Sequence, residues 1–96
     1  MREIGQDSQF KRDLKREMKG RYRFMLEKDG ELRNVVMTLR NDVPLEFIYQ
    51  DHPLKGRWKG SRECHLAPDL LLVYRKIGDD LLILERLGSH ADIFGM

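Results

Sequence analysis

The stretch RWKGSRECHLAPDLLLVYRKIGDDLLILERLG, residues 57–88, decides the fold. From Arg57 to Leu66 the pattern has a period of two. Trp58, Gly60, Arg62, Cys64 and Leu66 share one face, and Arg57, Lys59, Ser61, Glu63 and His65 share the other. Successive side chains of a strand point to opposite faces, so this segment reads as a β-strand. Pro68-Asp69 breaks it. Leu70-Leu71-Leu72-Val73-Tyr74 is apolar without alternation, as expected of a central strand covered on both faces. Gly78-Asp79-Asp80 makes a hairpin turn, and Leu81 to Leu87 is the last strand, ending at Gly88.

Upstream the period changes. Arg2 to Gly5 fits a short first strand. Asp7 or Ser8 then offers an N-cap, and Phe10, Leu14 and Met18 recur at i, i+4 and i+8, one apolar stripe of a helix. Gly20 weakens that helix without having to end it, and Asp29-Gly30 is a clear break. A second helix is predicted from about Glu31 to Arg40, with Leu32, Val35, Val36 and Leu39 facing inward. Asn41 to Pro44 ends it, because proline cannot continue a helix and disfavours one just before itself. Leu45 to Tyr49 reads as irregular or a brief helical turn, and Asp51 to Gly56 as a loop. The expected order is β-α-α-β-β-β, an α+β domain. Its small antiparallel sheet carries both N-terminal helices, an antiparallel pair, on one side.

Ninety-six residues make a single domain, 1–96, at the small end of what buries its own core. Hydrophobic content of 41% beside 35% charged residues is that of a globular chain. No apolar run approaches the roughly 20 residues that span a bilayer, and Met1 to Gly5 lacks the apolar segment of a secretion signal. One cysteine, Cys64, rules out an internal disulfide and fits a reducing cytoplasm; it reads as a small buried strand residue. The net charge of +2 is unevenly spread. Residues 11–23 hold seven Lys/Arg against Asp13 and Glu17, and residues 52–65 hold Lys55, Arg57, Lys59 and Arg62 against Glu63. Two basic segments in so small a domain point to a polyanionic partner. Lys11, Arg12, Lys15, Arg16, Lys19, Lys55, Lys59 and Arg62 are the candidate contacts.

The chain has three histidines. His65 and His90 sit at the ends of predicted strands, and His52 opens a His52-Pro53-Leu54 turn. Imidazoles that can meet at one site, ringed by arginine and lysine, suit acid–base chemistry on a phosphate, and hence RNA cleavage. RNA carries its own nucleophile, the 2′-OH, so side chains need only move protons and stabilise charge. The histidine spacings match no compact ligand motif, so no metal site and no cofactor are expected. Trp58, beside Gly60, reads as core packing.

The run from Asp51 to Tyr74, the run from Arg86 to Phe94, and Ser8-Gln9-Phe10-Lys11-Arg12-Asp13-Leu14-Lys15-Arg16 together resemble the YafQ branch of RelE-type toxins, in order and over nearly the whole chain. The resemblance implies a RelE-like, microbial-RNase-like fold and a bacterial toxin of a type II toxin–antitoxin pair. Such toxins cut mRNA in the ribosomal A site and are neutralised by a cognate antitoxin; no membrane partner, and no DNA contact without the antitoxin, is implied. The family's active residues map onto His52, His65, Asp69, Arg86, His90 and Phe94. In that scheme His90 is the general acid and His52 or His65 the base. Asp69 orients a histidine or is itself the base, Arg86 holds the phosphate, and Phe94 stacks on a nucleotide base. Two departures stand out: Leu70 occupies a position that is often tryptophan, and the stretch from Arg21 to Gly30 is longer than usual. Two other functions compete. One is a toxin of the same fold that poisons a protein such as gyrase, a group lacking the paired histidines. The other is a basic RNA-binding module without catalysis.

Overall fold

In the computed structural model, which describes residues 1–95, Glu3–Gln6 forms β1, Ser8–Glu17 α1, Arg23–Leu26 α2 and Glu31–Arg40 α3. His52–Pro53 forms β2, Arg62–Ala67 β3, Leu70–Ile77 β4, Leu81–Gly88 β5 and His90–Phe94 α4. The strands lie in the order β1-β5-β4-β3-β2 in one five-stranded sheet. Three neighbouring pairs are antiparallel, and β1 runs parallel to β5, so the sheet is mixed.

One face of the sheet carries the main core. Phe10 of α1 and Val35 and Leu39 of α3 pack there against Cys64, Leu72, Tyr74 and Leu82. The other face carries a smaller cluster, Leu71, Val73 and Ile93, flanked by Leu54, Trp58 and Phe94. Leu70 through Tyr74 is therefore covered on both sides, with no residue more than 1% exposed, which accounts for its lack of alternation. Each fully buried leucine there contributes about 1.5–3 kcal/mol.

The α+β class and the helices on one side match the reading of the sequence. Five details differ. The sheet is mixed rather than antiparallel, because β1 lies parallel to β5, and His52–Pro53, read from sequence as loop, adds a fifth strand, β2. The long stretch after Gly20 holds a short helix of its own, α2, whose Leu26 plugs the core. β3 begins only at Arg62, because Gly56–Trp58 forms a 3₁₀ turn and Gly60 adopts φ +96°, a conformation that ends a strand. The alternation from Arg57 to Ser61 was thus not a strand signal. Trp58 instead turns onto the second-face cluster. Finally, β5 is followed by a short helix, α4, that periodicity over five residues could not reveal.

The most consequential feature lies at the edge of β5. Strand β1 pairs with β5 only as far as Gln6↔Leu84, yet β5 continues to Gly88. Helix α1 supplies the missing partners with side chains. The Asp13 carboxylate accepts from the Leu87 N–H (2.9 Å), and the Arg16 guanidinium donates to the Leu87 carbonyl (2.9 Å). Asp13 is fully buried and also accepts from Arg86 Nε (2.8 Å), Arg16 (3.1 Å) and Gln9 (3.1 Å). Burial disfavours its charged form, but these donors outweigh burial and hold its pKa below the ordinary 3.8.

Asp13→Ala would strand Arg86 beside an empty pocket and leave the edge amide unpaired. We expect a loss of about 3–5 kcal/mol at pH 7, measured by urea denaturation. Because the folded pKa is depressed, the carboxylate's contribution is full above the unfolded value and is lost as pH falls through the folded one. The gap between wild type and variant should therefore narrow on acidification below pH 3.8. A gap independent of pH would contradict the assignment.

Candidate active site

Each histidine is placed by a different device on the face opposite α1–α3. His52 depends on its neighbour Asp51, whose carboxylate accepts from the Tyr74 hydroxyl (2.5 Å) and from Arg62 (3.3 Å). That anchor sets β2 in register with β3, with His52 directly opposite Glu63. The donated bond goes together with burial of Tyr74, which pushes its phenol pKa up and keeps it a donor. His65 lies two residues beyond Glu63 on β3, hence on the same face. Cys64, between them, points into the main core, where burial pushes its thiol pKa up and leaves it unreactive.

His90 is placed by the end of β5. Gly88 has φ +155°, and a Cβ there would come within 2.6 Å of the Arg16 guanidinium that pins the strand edge. Ser89 then caps α4. Its hydroxyl accepts from the Asp92 N–H (3.0 Å), while the Asp92 carboxylate accepts from the Ser89 N–H (3.2 Å). The bond from Ser89 holds the Asp92 pKa below its usual value. His90 is the first residue of this helix, and Phe94 the last.

The three imidazoles converge on one carboxylate. Glu63 Oε1 lies 3.0 Å from His52 Nε2, 3.9 Å from His65 Nε2 and 4.0 Å from His90 Nε2. Ring centroids are 6.3 Å apart for His52 and His65, and 5.9 Å apart for His65 and His90. Phe94 continues the row, 5.9 Å from His90 and, edge to face, 5.9 Å from Trp58. The Glu63 side chain is buried, and its second oxygen has no hydrogen-bond partner among the described residues.

Glu63 is the residue that reading the sequence missed. The signal was present: it shares the face of His65 in the β3 alternation. It was counted only as an offset to the basic segment around it.

Hydrogen-bond inventory separates the histidines. The Nδ1 of His52 faces the Gln50 carbonyl (2.7 Å), which can only accept, so that nitrogen carries the proton. Its Nε2 faces a carboxylate. His65 differs. Burial lowers its pKa, Glu63 partly offsets this, and the nearby His90 and His52 lower it further. His65 is therefore a neutral acceptor at pH 7.

Two of the residues implied by the resemblance stand elsewhere. The Arg86 guanidinium is occupied by Asp13, at 2.8 and 3.3 Å, and by the Asp92 carbonyl at 3.3 Å. Its Nε and one terminal nitrogen are thereby committed within the protein. Asp69 pairs with Arg21 (3.6 Å), and no imidazole is within ion-pair distance of it among the described residues. Of the basic candidates, Arg12 bonds Gln9, Arg16 bonds Asp13 and Glu17, and Arg62 bonds Asp51. Lys11 and Lys15 stand exposed on α1, Lys19 in the turn that follows it, and Lys55 and Lys59 on the loop before β3.

A family model described as bacterial toxin of type II toxin-antitoxin system, YafQ, matches residues 2–95. The mRNA interferase toxin YafQ of Escherichia coli K12 is 42% identical over 96 residues, 98% of this chain and 97% of that protein. Among solved structures, a copper-bound mutant toxin from Helicobacter pylori superposes with a TM-score of 0.85 at 41% identity, covering 98% of this chain and all of that one. The toxin of the E. coli DinJ-YafQ complex superposes with a TM-score of 0.81 at 38% identity, covering 99% of this chain and 100% of that chain.

The site makes a direct prediction for His65. Its ring should titrate below 6.5, read from imidazole NMR signals across pH. Its contribution to stability is then present above pH 6.5 and lost as pH falls through the folded value. A midpoint above 6.5 would remove it from the role of neutral base.

Proposed function

The chain belongs to the YafQ family of bacterial type II toxins, and on that footing we propose that it is an endoribonuclease that cuts mRNA in the ribosomal A site by acid–base catalysis. The observation that carries this reading is the convergence of three imidazoles on the buried Glu63 carboxylate. Chemistry on RNA needs a base, an acid and a charge stabiliser, and this cluster offers one of each.

His65, the neutral acceptor, takes the proton from the 2′-OH. The freed 2′-oxygen attacks the adjacent phosphorus. His52, held between the Gln50 carbonyl and the Glu63 carboxylate, stabilises the charge that develops on the phosphorane. His90, at the open end of the row, gives its proton to the departing 5′-oxygen. The products are a 2′,3′-cyclic phosphate and a 5′-hydroxyl end. Each positioned proton transfer contributes on the order of 10²–10⁴ in rate. Phe94 stacks on a nucleotide base, a contact worth roughly 1–3 kcal/mol.

Arg86 enters this scheme by positioning, with its Nε and one terminal nitrogen held by Asp13 and the Asp92 carbonyl. Asp69 pairs with Arg21, and no proton transfer is assigned to it. Lys11 and Lys15 of α1 and Lys19 just beyond it, with Lys55 and Lys59, supply the sequence-independent attraction to RNA and ribosome. A cognate antitoxin that covers these surfaces is the partner this reading implies, as DinJ partners the E. coli relative.

One relative is copper-bound. Here His52, His65, His90 and Glu63 are of the right chemical type. No group of three or more among the described residues stands in a ligating arrangement, however, and no step above is routed through a metal.

The test is primer extension on a reporter mRNA after a short pulse of expression. Wild type should give in-frame cuts at defined codons, and His90→Ala should lower them by about 10²-fold or more. Purified toxin stripped with EDTA and then desalted should still cleave on programmed ribosomes in Mg²⁺ buffer. Growth arrest with intact mRNA would remove the nuclease reading and favour poisoning of a protein target.

A further inference from the structure

Beyond His65 the site opens into a cleft of about 620 Å³ between the Phe47–Tyr49 turn and the end of β3. The proton transfers described above make no use of it. Met25, Ile48, Tyr49, Leu66, Ala67 and Pro68 give it mainly apolar walls, and His65 belongs both to this cleft and to the imidazole cluster. A ligand that fills the cleft therefore touches the catalytic base.

The polar groups define what that ligand is. Glu31 lines the cleft and accepts a hydrogen bond from the Tyr49 hydroxyl. That bond, with burial, pushes the Tyr49 pKa up to about 12, so the phenol stays protonated and the carboxylate charge remains. A phosphate lodged here would meet that negative charge; a flat, uncharged ring would not. The wall formed by β3 has hydrogen-bonding capacity of its own. Strand β2 pairs only with Arg62 and Glu63, so no strand covers the outer backbone edge of β3 from Cys64 onward. Backbone N–H and C=O groups along such an edge suit the polar edge of a splayed base.

Gln50 ties the cleft to the chemistry. It sits at φ 50°, ψ 42°, a left-handed conformation that is costly for a residue with a side chain. That backbone turns its carbonyl onto His52 Nδ1 (2.7 Å) while the residue itself lines the cleft. One strained position thus contacts both the ring that stabilises phosphate charge and the pocket beside it.

We propose that this cleft, walled by Met25, Ile48, Tyr49, Gln50, His65 and Pro68, is the subsite for a nucleobase flanking the scissile phosphate. The inference rests on the nuclease reading and adds to it where the substrate's base sits. With the phosphate at the imidazoles, the base stacks over Tyr49, Met25 and Ile48. Its edge faces Gln50 and the free backbone of β3. Filling the cleft also presses the neighbouring nucleotide against His65, so base binding and base catalysis are coupled.

The test uses the full chain, with adenosine 3′-monophosphate, adenosine 5′-monophosphate and inorganic phosphate as separate probes. Methyl NMR signals of Met25 and Ile48 report the cleft, and imidazole signals report the cluster. At least one nucleotide should move both sets on a single saturation curve and bind about tenfold more tightly than inorganic phosphate, which moves only the imidazoles. Ile48 is 74% exposed, so Ile48→Ser leaves the core intact. It should weaken the nucleotide roughly fivefold and leave phosphate unchanged. Nucleotides that move the imidazoles but not the methyls overturn the subsite while the nuclease reading stands, and the cleft is then a socket for a protein side chain. Equal affinity for nucleotide and phosphate, or an unaltered Ile48→Ser variant, also overturns it.

Discussion

The open edge of β5 is the constraint on which the rest of this molecule depends. Its neighbour strand β1 stops at Gln6, opposite Leu84, and the last residues of β5 would be left with unpaired backbone groups. A buried carboxylate from α1 fills that place, and the same carboxylate takes up Arg86. The interaction is costly to assemble, since a charge leaves water, but five donor contacts from four residues offset the cost. Its reach is long. The fixed edge sets Gly88, Gly88 sets the Ser89 cap, and the cap sets His90. An arginine read from sequence as a phosphate ligand is thereby a structural member of the site's foundation.

A second buried carboxylate organises the chemistry. Glu63 is 4% exposed, and one of its oxygens lacks any partner among the described residues. An unsatisfied buried polar atom costs on the order of 1–3 kcal/mol. Proteins retain such costs where a site needs them. Here the other oxygen lies 3.0, 3.9 and 4.0 Å from three imidazole nitrogens. The result is a set of rings in unlike environments. His52 faces acceptors on both sides, His65 is pushed toward neutrality by burial, and His90 stands at a helix start with nearly half its side chain exposed. Different environments are what divide one residue type into a base, an acid and a charge stabiliser.

Much of this was legible in the sequence, and what was not has physical causes. The apolar run Leu70–Tyr74, the stripes of α1 and α3 and the hairpin at Gly78 were all visible as local periodicity or turn chemistry. The parallel pairing of β1 was not, since nothing local distinguishes a parallel from an antiparallel edge. The false start of β3 arose because Arg57 to Ser61 alternates by chance, and one positive-φ glycine overrides it. Histidines stood out because they are few. Glu63 did not, because a carboxylate in a basic segment looks like charge balance until the register places it opposite His52. The partners of Arg86 and Asp69 were equally hidden: Asp13 lies 73 positions from Arg86, and only the fold brings them together.

The coupling of the three imidazoles through Glu63 is tested most directly by following all three rings by NMR across pH, in wild type and in Glu63→Gln. The substitution preserves shape and removes the charge. If one buried carboxylate organises the cluster, all three rings should titrate at lower pH in the variant, with the amide spectrum otherwise that of the folded domain. A change confined to His52, the one ring within hydrogen-bond distance, would contradict it, and the histidines would then be three separate residues sharing one face.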